Sequence, residues 1–131
     1  MGAMKYLLDT YAFLWWLFDD PKLSSAARGI IRNPENMISV SSASAWEIAT
    51  KYRQGKLPEA GEVATDIVGW VKKASFDLLP ITTEQVHLAG SWQVDRRNLF
   101  DRMLAAQTKL ESHVLVTVDK AFALFTIETI W

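Results

Sequence analysis

Short apolar runs alternate with helical segments along this chain, and this alternation limits its fold more than any other feature. The apolar runs predict strands over residues 6–8, 37–40, 77–80, 114–118 and 126–130. Helical patterns fill the intervals, and strands joined by such crossovers lie parallel in one sheet. The sequence therefore predicts an α/β fold with about five strands.

Helix boundaries are predicted from capping residues and from the spacing of apolar residues. One continuous helix is expected over 62–74, and Thr83 is expected to cap the next helix, over 84–92. A helix over 99–111 is predicted because four apolar residues at helical spacing form one face: Leu99, Met103, Ala106 and Leu110.

The chain's length of 131 residues predicts one domain over residues 1–131. Residues 1–3, which precede Met4, are interpreted as the remnant of an expression tag. No apolar run approaches the roughly 20 residues of a membrane-spanning helix, and the first residues lack the cleavage site of a signal peptide. We therefore expect a soluble, cytoplasmic protein that does not contact a membrane.

Composition disfavours several kinds of catalytic site. Because the chain has no Cys, thiolate zinc sites and Cys nucleophiles are excluded. The two histidines, His87 and His113, lie far apart, which disfavours imidazole zinc sites and a Ser-His relay. A formal net charge of −1 argues against a uniformly basic surface for nucleic acid. Carboxylates are the groups left for catalysis.

Four acids stand in positions that differ from ordinary solvated surface. Asp9 and Asp119 each follow an apolar run that is predicted to be a strand. Asp101 lies in the first turn of a predicted helix, and Glu47 lies among small and apolar helix residues. The carboxyl ends of strands are where open α/β sheets bind ligands. We therefore expect these four side chains to converge on one site.

Such a cluster offers only oxygen ligands, which favours Mg²⁺ or Mn²⁺ over zinc or copper. A metal site of this kind supports hydrolysis of phosphate esters. The hydroxyls of Thr10 and Thr117, each close in sequence to an acid, are predicted to orient the carboxylates. Each acid also has a purely structural explanation as a helix cap, a first-turn acid or a surface residue, and this alternative stays open.

Four segments of the chain resemble the PIN-domain ribonucleases, in particular the VapC-type toxins of VapBC toxin–antitoxin pairs. The segments read LLDTYAFLWW from Leu7, SASAWEIA from Ser42, FDRMLAAQ from Phe100 and LVTVD from Leu115. They follow the order of the family and span nearly the whole chain. In that family, the acids that match Asp9, Glu47, Asp101 and Asp119 form the catalytic metal site.

The resemblance implies a three-layer fold, with a central parallel sheet and helices on both sides. It implies a metal-dependent endoribonuclease toxin whose candidate substrates are tRNA and rRNA. It also implies a homodimer and a cognate VapB-type antitoxin, through which alone the protein would meet DNA. The alternative is a PIN-fold binding module with weak or no catalysis.

Two positions depart from the family pattern. Similar sequences often carry His where this chain has Tyr11, and Asp-Pro where it has Asn98-Leu99. Both lie near the expected site, so we expect them to affect substrate choice or metal affinity rather than to abolish activity.

Two other classes fit the sequence less well. An aspartyl-phosphate phosphatase needs a second Asp two positions after the first, where this chain has Tyr11. A phospho-receiver domain needs paired acids after its first strand, and Asp9 stands alone there.

Basic residues near the acids are candidate contacts for the RNA backbone, because a carboxylate cluster repels phosphate unless cations flank it. Lys51 follows Glu47 on the same helix. Three arginines flank Asp101, and of these Arg97 and Arg102 are ranked above Arg96 for proximity. The alternative is that all of them are solvated surface charges.

Residues 14–18 are apolar at five consecutive positions, LWWLF. A helix cannot turn five neighbours toward one core. The run therefore predicts either an exposed surface for a protein partner or a helix that packs on two sides within one chain.

Overall fold

The computed structural model of this protein describes residues 4–131. The interpretation of residues 1–3 as a tag remnant lies outside the described residues. Five strands form one sheet in the order β3-β2-β1-β4-β5. Every neighbouring pair is parallel, which confirms the predicted α/β class. The strand bounds are β1 Lys5–Leu8, β2 Met37–Ser41, β3 Asp77–Leu79, β4 Val114–Val116 and β5 Thr129–Ile130.

Seven α-helices connect or flank these strands within the described residues. Their bounds are α1 Thr10–Leu17, α2 Ser25–Arg32, α3 Ser42–Arg53, α4 Gly61–Thr65, α5 Ile67–Lys73, α6 Thr83–Ser91 and α7 Leu99–Leu110. Two 3-10 helices, Pro58–Ala60 and Lys120–Phe125, complete the described structure. None of the helices within residues 4–131 is both long and apolar enough to cross a membrane.

The alternating side chains of β1 separate two apolar cores. Leu8 packs with Phe13 of α1, Ile31 of α2 and Val71 of α5. Leu7 belongs to the other core, whose members are Ala43, Leu104, Ala105, Leu115, Phe122 and Phe125. Because successive residues of a strand point to opposite faces, the two cores lie on opposite sides of the sheet. This arrangement confirms the three-layer fold.

The predicted single helix over 62–74 is two helices, because the chain breaks at Asp66. The backbone of Asp66 leaves the helical region, with φ −150° and ψ 68°, and its side chain accepts a hydrogen bond from the Gly69 amide at 3.1 Å. A Cβ at Gly69 would collide with the Asp66 carboxylate, so this cap requires glycine there. The next helix begins one residue earlier than predicted, since Thr82 and Gln85 form its capping box.

The helix predicted over 99–111 is present as α7, but the apolar face used to predict it is only partly buried. Leu99 and Leu110 are 61% and 46% exposed, whereas the buried residues of α7 are Leu104, Ala105, Ala106, Gln107 and Thr108. The two polar ones have internal partners: Gln107 donates to the Pro80 carbonyl at 3.2 Å, and Thr108 donates to the Leu104 carbonyl at 2.8 Å. Internal hydrogen bonds let polar residues take a buried face, although the side-chain oxygen of Gln107 has no partner within the described residues.

The aromatic run in α1 packs mainly within the chain. Leu14 is buried, the ring of Trp15 meets Trp131 edge-on at 5.8 Å, and Trp16 lies 6.3 Å from the ring of Phe76. Phe18, just beyond the helix, remains 40% exposed. Most of residues 14–18 therefore belong to a helix that packs on two sides within the chain, which is the second of the two alternatives predicted.

Candidate active site

The sheet brings the four predicted acids to its carboxyl edge. Asp9 follows β1, the central strand, and Asp119 lies three residues beyond the end of the neighbouring strand β4. Glu47 lies in α3, which starts directly after β2, and Asp101 lies in the first turn of α7. All four line one cavity of about 340 Å³. The predicted convergence is therefore present in the structure.

Asp9 is the carboxylate most strongly perturbed by its surroundings. Its side chain caps α1 by accepting from the Ala12 amide at 2.8 Å, and its other oxygen accepts from the Thr117 hydroxyl at 2.5 Å. Burial raises the pKa of Asp9 to about 6, although both hydrogen bonds favour the charged form. The charges of Glu47 and Asp101 add to the increase. The surroundings of Asp9 therefore stabilise its negative charge only in part.

Glu47 is buried, with 4% of the residue exposed, and a cation partly neutralises it. Lys51, one helical turn further along α3, places Nζ 2.6 Å from one carboxylate oxygen of Glu47. The Thr10 hydroxyl donates to the other oxygen at 2.5 Å and lies 3.0 Å from the Ser44 hydroxyl. Burial alone would lower the pKa of Lys51, but its contact with Glu47 raises it. Lys51 therefore stays protonated beside the acid.

Asp101 and Asp119 share a single guanidinium. Nη2 of Arg96 lies 2.5 Å from Oδ2 of Asp101 and 2.6 Å from Oδ2 of Asp119. Nε of Arg96 makes a second hydrogen bond to Asp101, at 2.9 Å. Burial nevertheless raises the pKa of Asp101, because Arg96 offsets only part of the desolvation. Among the four acids of the site, three are thus paired with a cation, and the buried Asp9 is not.

The two predicted orienting hydroxyls act on acids distant in sequence. Thr10 follows Asp9 but bonds to Glu47, and Thr117 precedes Asp119 but donates its proton to Asp9. Thr117 also accepts from the Asp119 amide at 3.1 Å. Each hydroxyl therefore ties two segments of the site together.

The structural explanation of the acids is also correct in part. Asp9 caps α1, and Asp119 caps the following 3-10 helix by accepting from the Ala121 amide at 2.9 Å. In each case the cap uses one carboxylate oxygen, and the other oxygen binds a side chain that lines or borders the site, Thr117 for Asp9 and Arg96 for Asp119. Capping and a role in the site are thus compatible for both residues.

The donor set fits a hard divalent cation in its chemistry. All four acids offer oxygen, and the buried Asp9 carboxylate would be stabilised by a cation. Within residues 4–131, however, no three His, Asp or Glu side chains stand close enough together to hold one ion. Arg96 and Lys51 pair with three of the carboxylates instead. A cation would enter by replacing such contacts.

The basic residues near the site have three different environments. Lys51 lines the cavity and forms the ion pair with Glu47, whereas Arg97 is exposed. Arg102 points away from the acids, and its guanidinium donates to four backbone carbonyls, those of Ala89, Trp92, Val94 and Arg96. The interpretation of Arg102 as an RNA contact is therefore corrected: it fastens the connection between α6 and α7.

Arg96 lies in the site, although the sequence placed it below Arg97 and Arg102 as a candidate. It stands five residues before Asp101, and helical spacing gives no signal there because the intervening segment is a loop. The Arg102 clamp fixes the backbone of this loop, with Nη1 2.7 Å from the Arg96 carbonyl oxygen. The only sequence signal available was the pair of adjacent arginines ahead of an acid.

Both departures from the family pattern lie at the cavity. The Tyr11 hydroxyl is 3.3 Å from Lys51 Nζ, which also lies 5.2 Å from the centre of the tyrosine ring. Asn98 caps α7 by accepting from the Phe100 and Asp101 amides. Tyr11 therefore contacts the cation that pairs with Glu47, and Asn98 fixes the turn that presents Asp101.

Comparison with known proteins supports the relationship that the segments indicated. Ribonuclease VapC16 from Mycobacterium tuberculosis is 34% identical over 73 residues, which make up 53% of this chain and 50% of that protein. The match thus covers about half the length of this curated relative.

Three solved structures share the fold. VapBC2 from Rickettsia felis, bound to a promoter DNA fragment, has a TM-score of 0.70 at 18% identity and covers 97% of this chain and 98% of its own. VapBC-1 from nontypeable Haemophilus influenzae has a TM-score of 0.69 at 18% identity, with 97% of each chain covered. FitAcB from Neisseria gonorrhoeae reaches 0.63 at 15% identity, with 96% of each chain covered.

The family model for the PIN domain matches residues 6–127. That range contains β2, β3, β4 and all of β1 except Lys5, whereas β5 lies just beyond it; it also contains all four acids that line the cavity. This chain therefore belongs to the PIN domain family.

Proposed function

We propose that this protein is an endoribonuclease that depends on Mg²⁺ or Mn²⁺ and hydrolyses phosphodiester bonds of structured RNA, with tRNA and rRNA as the candidate substrates. The observation that carries the proposal is the meeting of Asp9, Glu47, Asp101 and Asp119 around one cavity at the carboxyl edge of the sheet. The partial match to a protein named a ribonuclease supports the same activity.

The four carboxylates would hold the divalent cation, which when bound would neutralise the scissile phosphate and lower the pKa of a water molecule. The protein's own part is to hold these oxygens in place. The Ala12 amide and the Thr117 hydroxyl fix both oxygens of Asp9, and the Thr10 hydroxyl fixes one oxygen of Glu47. Fixed ligands need little reorganisation when the cation or substrate binds.

A carboxylate oxygen of this cluster that does not contact the cation would orient the attacking water and accept its proton. The water oxygen forms a bond to phosphorus, the bond to the leaving ribose oxygen breaks, and that oxygen takes up a proton. Lys51 and the exposed Arg97 are the proposed contacts to the RNA backbone, because they offer positive charge beside the acidic cavity.

The activity is tested by incubating end-labelled structured RNA with the protein in Mg²⁺, in Mn²⁺ and in EDTA. Wild type should cleave only with a metal, and Asp9→Asn and Asp101→Asn should lose at least about 100-fold in rate. Asp77→Asn is the matched control, since Asp77 is exposed at the opposite end of β3. Cleavage that persists in EDTA, or in both site variants, would refute the proposal.

A second candidate is a PIN-fold binding module with weak or no catalysis. The observation that favours it is the pairing of Arg96 and Lys51 with three of the acids. Calorimetric titration with Mg²⁺ and Mn²⁺ separates the two functions. Metal binding that Asp9→Asn removes supports the nuclease, whereas RNA binding with no metal binding supports the module.

We propose further that the protein is a homodimeric toxin, acting on RNA in the cytoplasm and neutralised by a VapB-type antitoxin. The support is that its structural relatives are described as VapBC proteins, one of them bound to promoter DNA. Contact of this chain with DNA would arise only through the antitoxin.

A groove of about 360 Å³ suits an antitoxin segment that carries apolar and acidic side chains. Trp16 and Trp70 supply aromatic surface, and Arg32 and Lys73 supply positive charge, whereas Arg28 pairs with Asp19 at 2.6 Å within the groove. Co-expression with the product of the neighbouring reading frame should yield a stable complex that does not cleave RNA. Full nuclease activity of the co-purified complex would contradict neutralisation.

A further inference from the structure

The guanidinium of Arg96 occupies the space between two of the proposed metal ligands. Its Nη2 lies 2.5 Å from Asp101 and 2.6 Å from Asp119, so one nitrogen bridges two carboxylates. The guanidinium carbon lies over the ring of Phe122, 5.7 Å from its centre. Charge-assisted contacts of this length are among the stronger hydrogen bonds in proteins.

Hydrogen bonds from Arg102 fix the backbone of the loop that carries Arg96. Four backbone carbonyls of residues 89–96 accept hydrogen bonds from Arg102, and one of them belongs to Arg96 itself. The side chain of Arg96 is 25% exposed and that of Asp101 is 13% exposed, so solvent screens this pair only in part. The contact is thus built into the fold, in the lining of the acidic cavity.

We propose that Arg96 is an internal counterion that a divalent cation must displace, so that it sets the metal affinity of the site. This inference rests on the proposed metal-dependent function and adds a residue that controls it. A guanidinium and a divalent cation compete for the same oxygens of Asp101 and Asp119, since both require the charged carboxylates. Asp101 and Asp119, which are only partly exposed, keep a positive partner when no metal is bound, and this reduces the cost of their unpaired charges.

The competition predicts a specific change in metal binding. Arg96→Gln removes the competing cation and keeps a polar side chain of similar length. Its dissociation constant for Mg²⁺ should fall about tenfold, the factor expected from loss of one partly buried charge-assisted competitor. Lys120→Gln is the control for charge alone: exposed Lys120 lies next to Asp119, and its removal should change the constant less than about threefold.

The test combines calorimetric titration of wild type, Arg96→Gln and Lys120→Gln with NMR of the arginine side-chain Nε–H groups in wild type. Saturating Mg²⁺ should shift the Arg96 Nε–H signal toward the position of a solvated arginine, and Arg102 should not shift. The NMR measurement uses wild-type protein, so it holds even if a variant fails to fold.

The outcomes separate this inference from the proposed function. Metal binding that leaves the Arg96 signal unchanged, or that is not tighter in Arg96→Gln, overturns the role of Arg96 while the metal site stands. Absence of metal binding in wild type and in Arg96→Gln overturns both. Weaker binding in Arg96→Gln would make Arg96 a positioning residue, which contradicts the competition proposed.

Discussion

The hydroxyl of Thr117 donates a hydrogen bond to the carboxylate of Asp9, a residue 108 positions earlier in the chain, at 2.5 Å. Because β1 and β4 are parallel neighbours, the residues that follow them meet at the same edge of the sheet. The Thr117 hydroxyl also accepts a hydrogen bond from the Asp119 amide, so one side chain positions two of the four acids. This pair of hydrogen bonds therefore forms only when the fold brings the ends of β1 and β4 together.

Thr117→Val should weaken both metal binding and cleavage by about 10- to 100-fold, because Asp9 loses the donor that orients one of its oxygens. Calorimetric titration with Mg²⁺ and the RNA cleavage rate give the two readouts. Thr117→Ser restores the hydroxyl and should recover most of the affinity. Thr108→Val, which also removes a buried hydroxyl but away from the cavity, should leave metal affinity unchanged. A Thr117→Ser variant as weak as Thr117→Val would contradict this role.

Asp9→Asn should stabilise the protein at neutral pH in EDTA by up to about 3 kcal/mol. The pKa of Asp9 is about 6 in the folded protein and near 3.8 unfolded, so folding takes up a proton between these values. Wild-type stability therefore falls as pH rises from about 4 to about 6, and Asn, which still caps α1, lacks this loss.

Urea unfolding of wild type and Asp9→Asn from pH 4 to 8 in EDTA measures the effect of Asp9. The two curves should approach each other near pH 4 and separate above pH 6. Added Mg²⁺ should stabilise wild type but not Asp9→Asn. Asp66→Asn, at an exposed helix cap, controls for loss of a capping carboxylate. A gap between wild type and Asp9→Asn that does not widen with pH would disprove the assigned cause.

Lys51→Met should destabilise the metal-free protein by about 1–3 kcal/mol at neutral pH, because it leaves the buried Glu47 carboxylate without its cation. The double variant Glu47→Gln/Lys51→Met should recover most of the loss, since no buried charge is then unpaired. Chemical denaturation in EDTA compares the two, with Lys56→Met as the exposed control. The explanation fails if the double variant is no more stable than the single one.

Arg102→Met and Arg97→Gln should separate stability from RNA binding. Arg102→Met should cost about 2 kcal/mol of unfolding free energy, because several carbonyls lose a charged donor. Arg97→Gln should leave the unfolding free energy within about 0.5 kcal/mol. It should also weaken RNA binding and reduce by about one the number of counterions released on binding, which the salt dependence of the affinity measures. Filter binding across a salt series and urea unfolding give the two readouts, and weaker RNA binding in Arg102→Met at unchanged stability would reverse the assignment.

The strands were predictable because their signal is local. Short apolar runs bounded by polar residues marked all five strands, although β4 ends at Val116 and β5 covers only Thr129–Ile130. The buried face of α7 was not predictable from apolar spacing, because Gln107 and Thr108 take buried positions with partners inside the protein. The break at Asp66 had a local signal, the Asp66 and Gly69 pair, which outweighs the helical pattern around it.

The sequence by itself determined the order of strands and helices and the kind of chemistry the site can support. Runs of apolar residues and an acid after a strand are properties of neighbouring residues, and an inventory without Cys and with few His leaves carboxylate oxygens as the available ligands.

Only the tertiary structure decided which hydroxyl serves which acid, and which arginine enters the site. Thr10 bonds to Glu47 and Thr117 donates to Asp9, while Arg96 enters the acidic cavity and Arg102 fastens the loop. These choices depend on how parallel strands bring distant segments together and on the direction in which a packed loop turns its side chains. Neither is encoded in the spacing of residues along the chain.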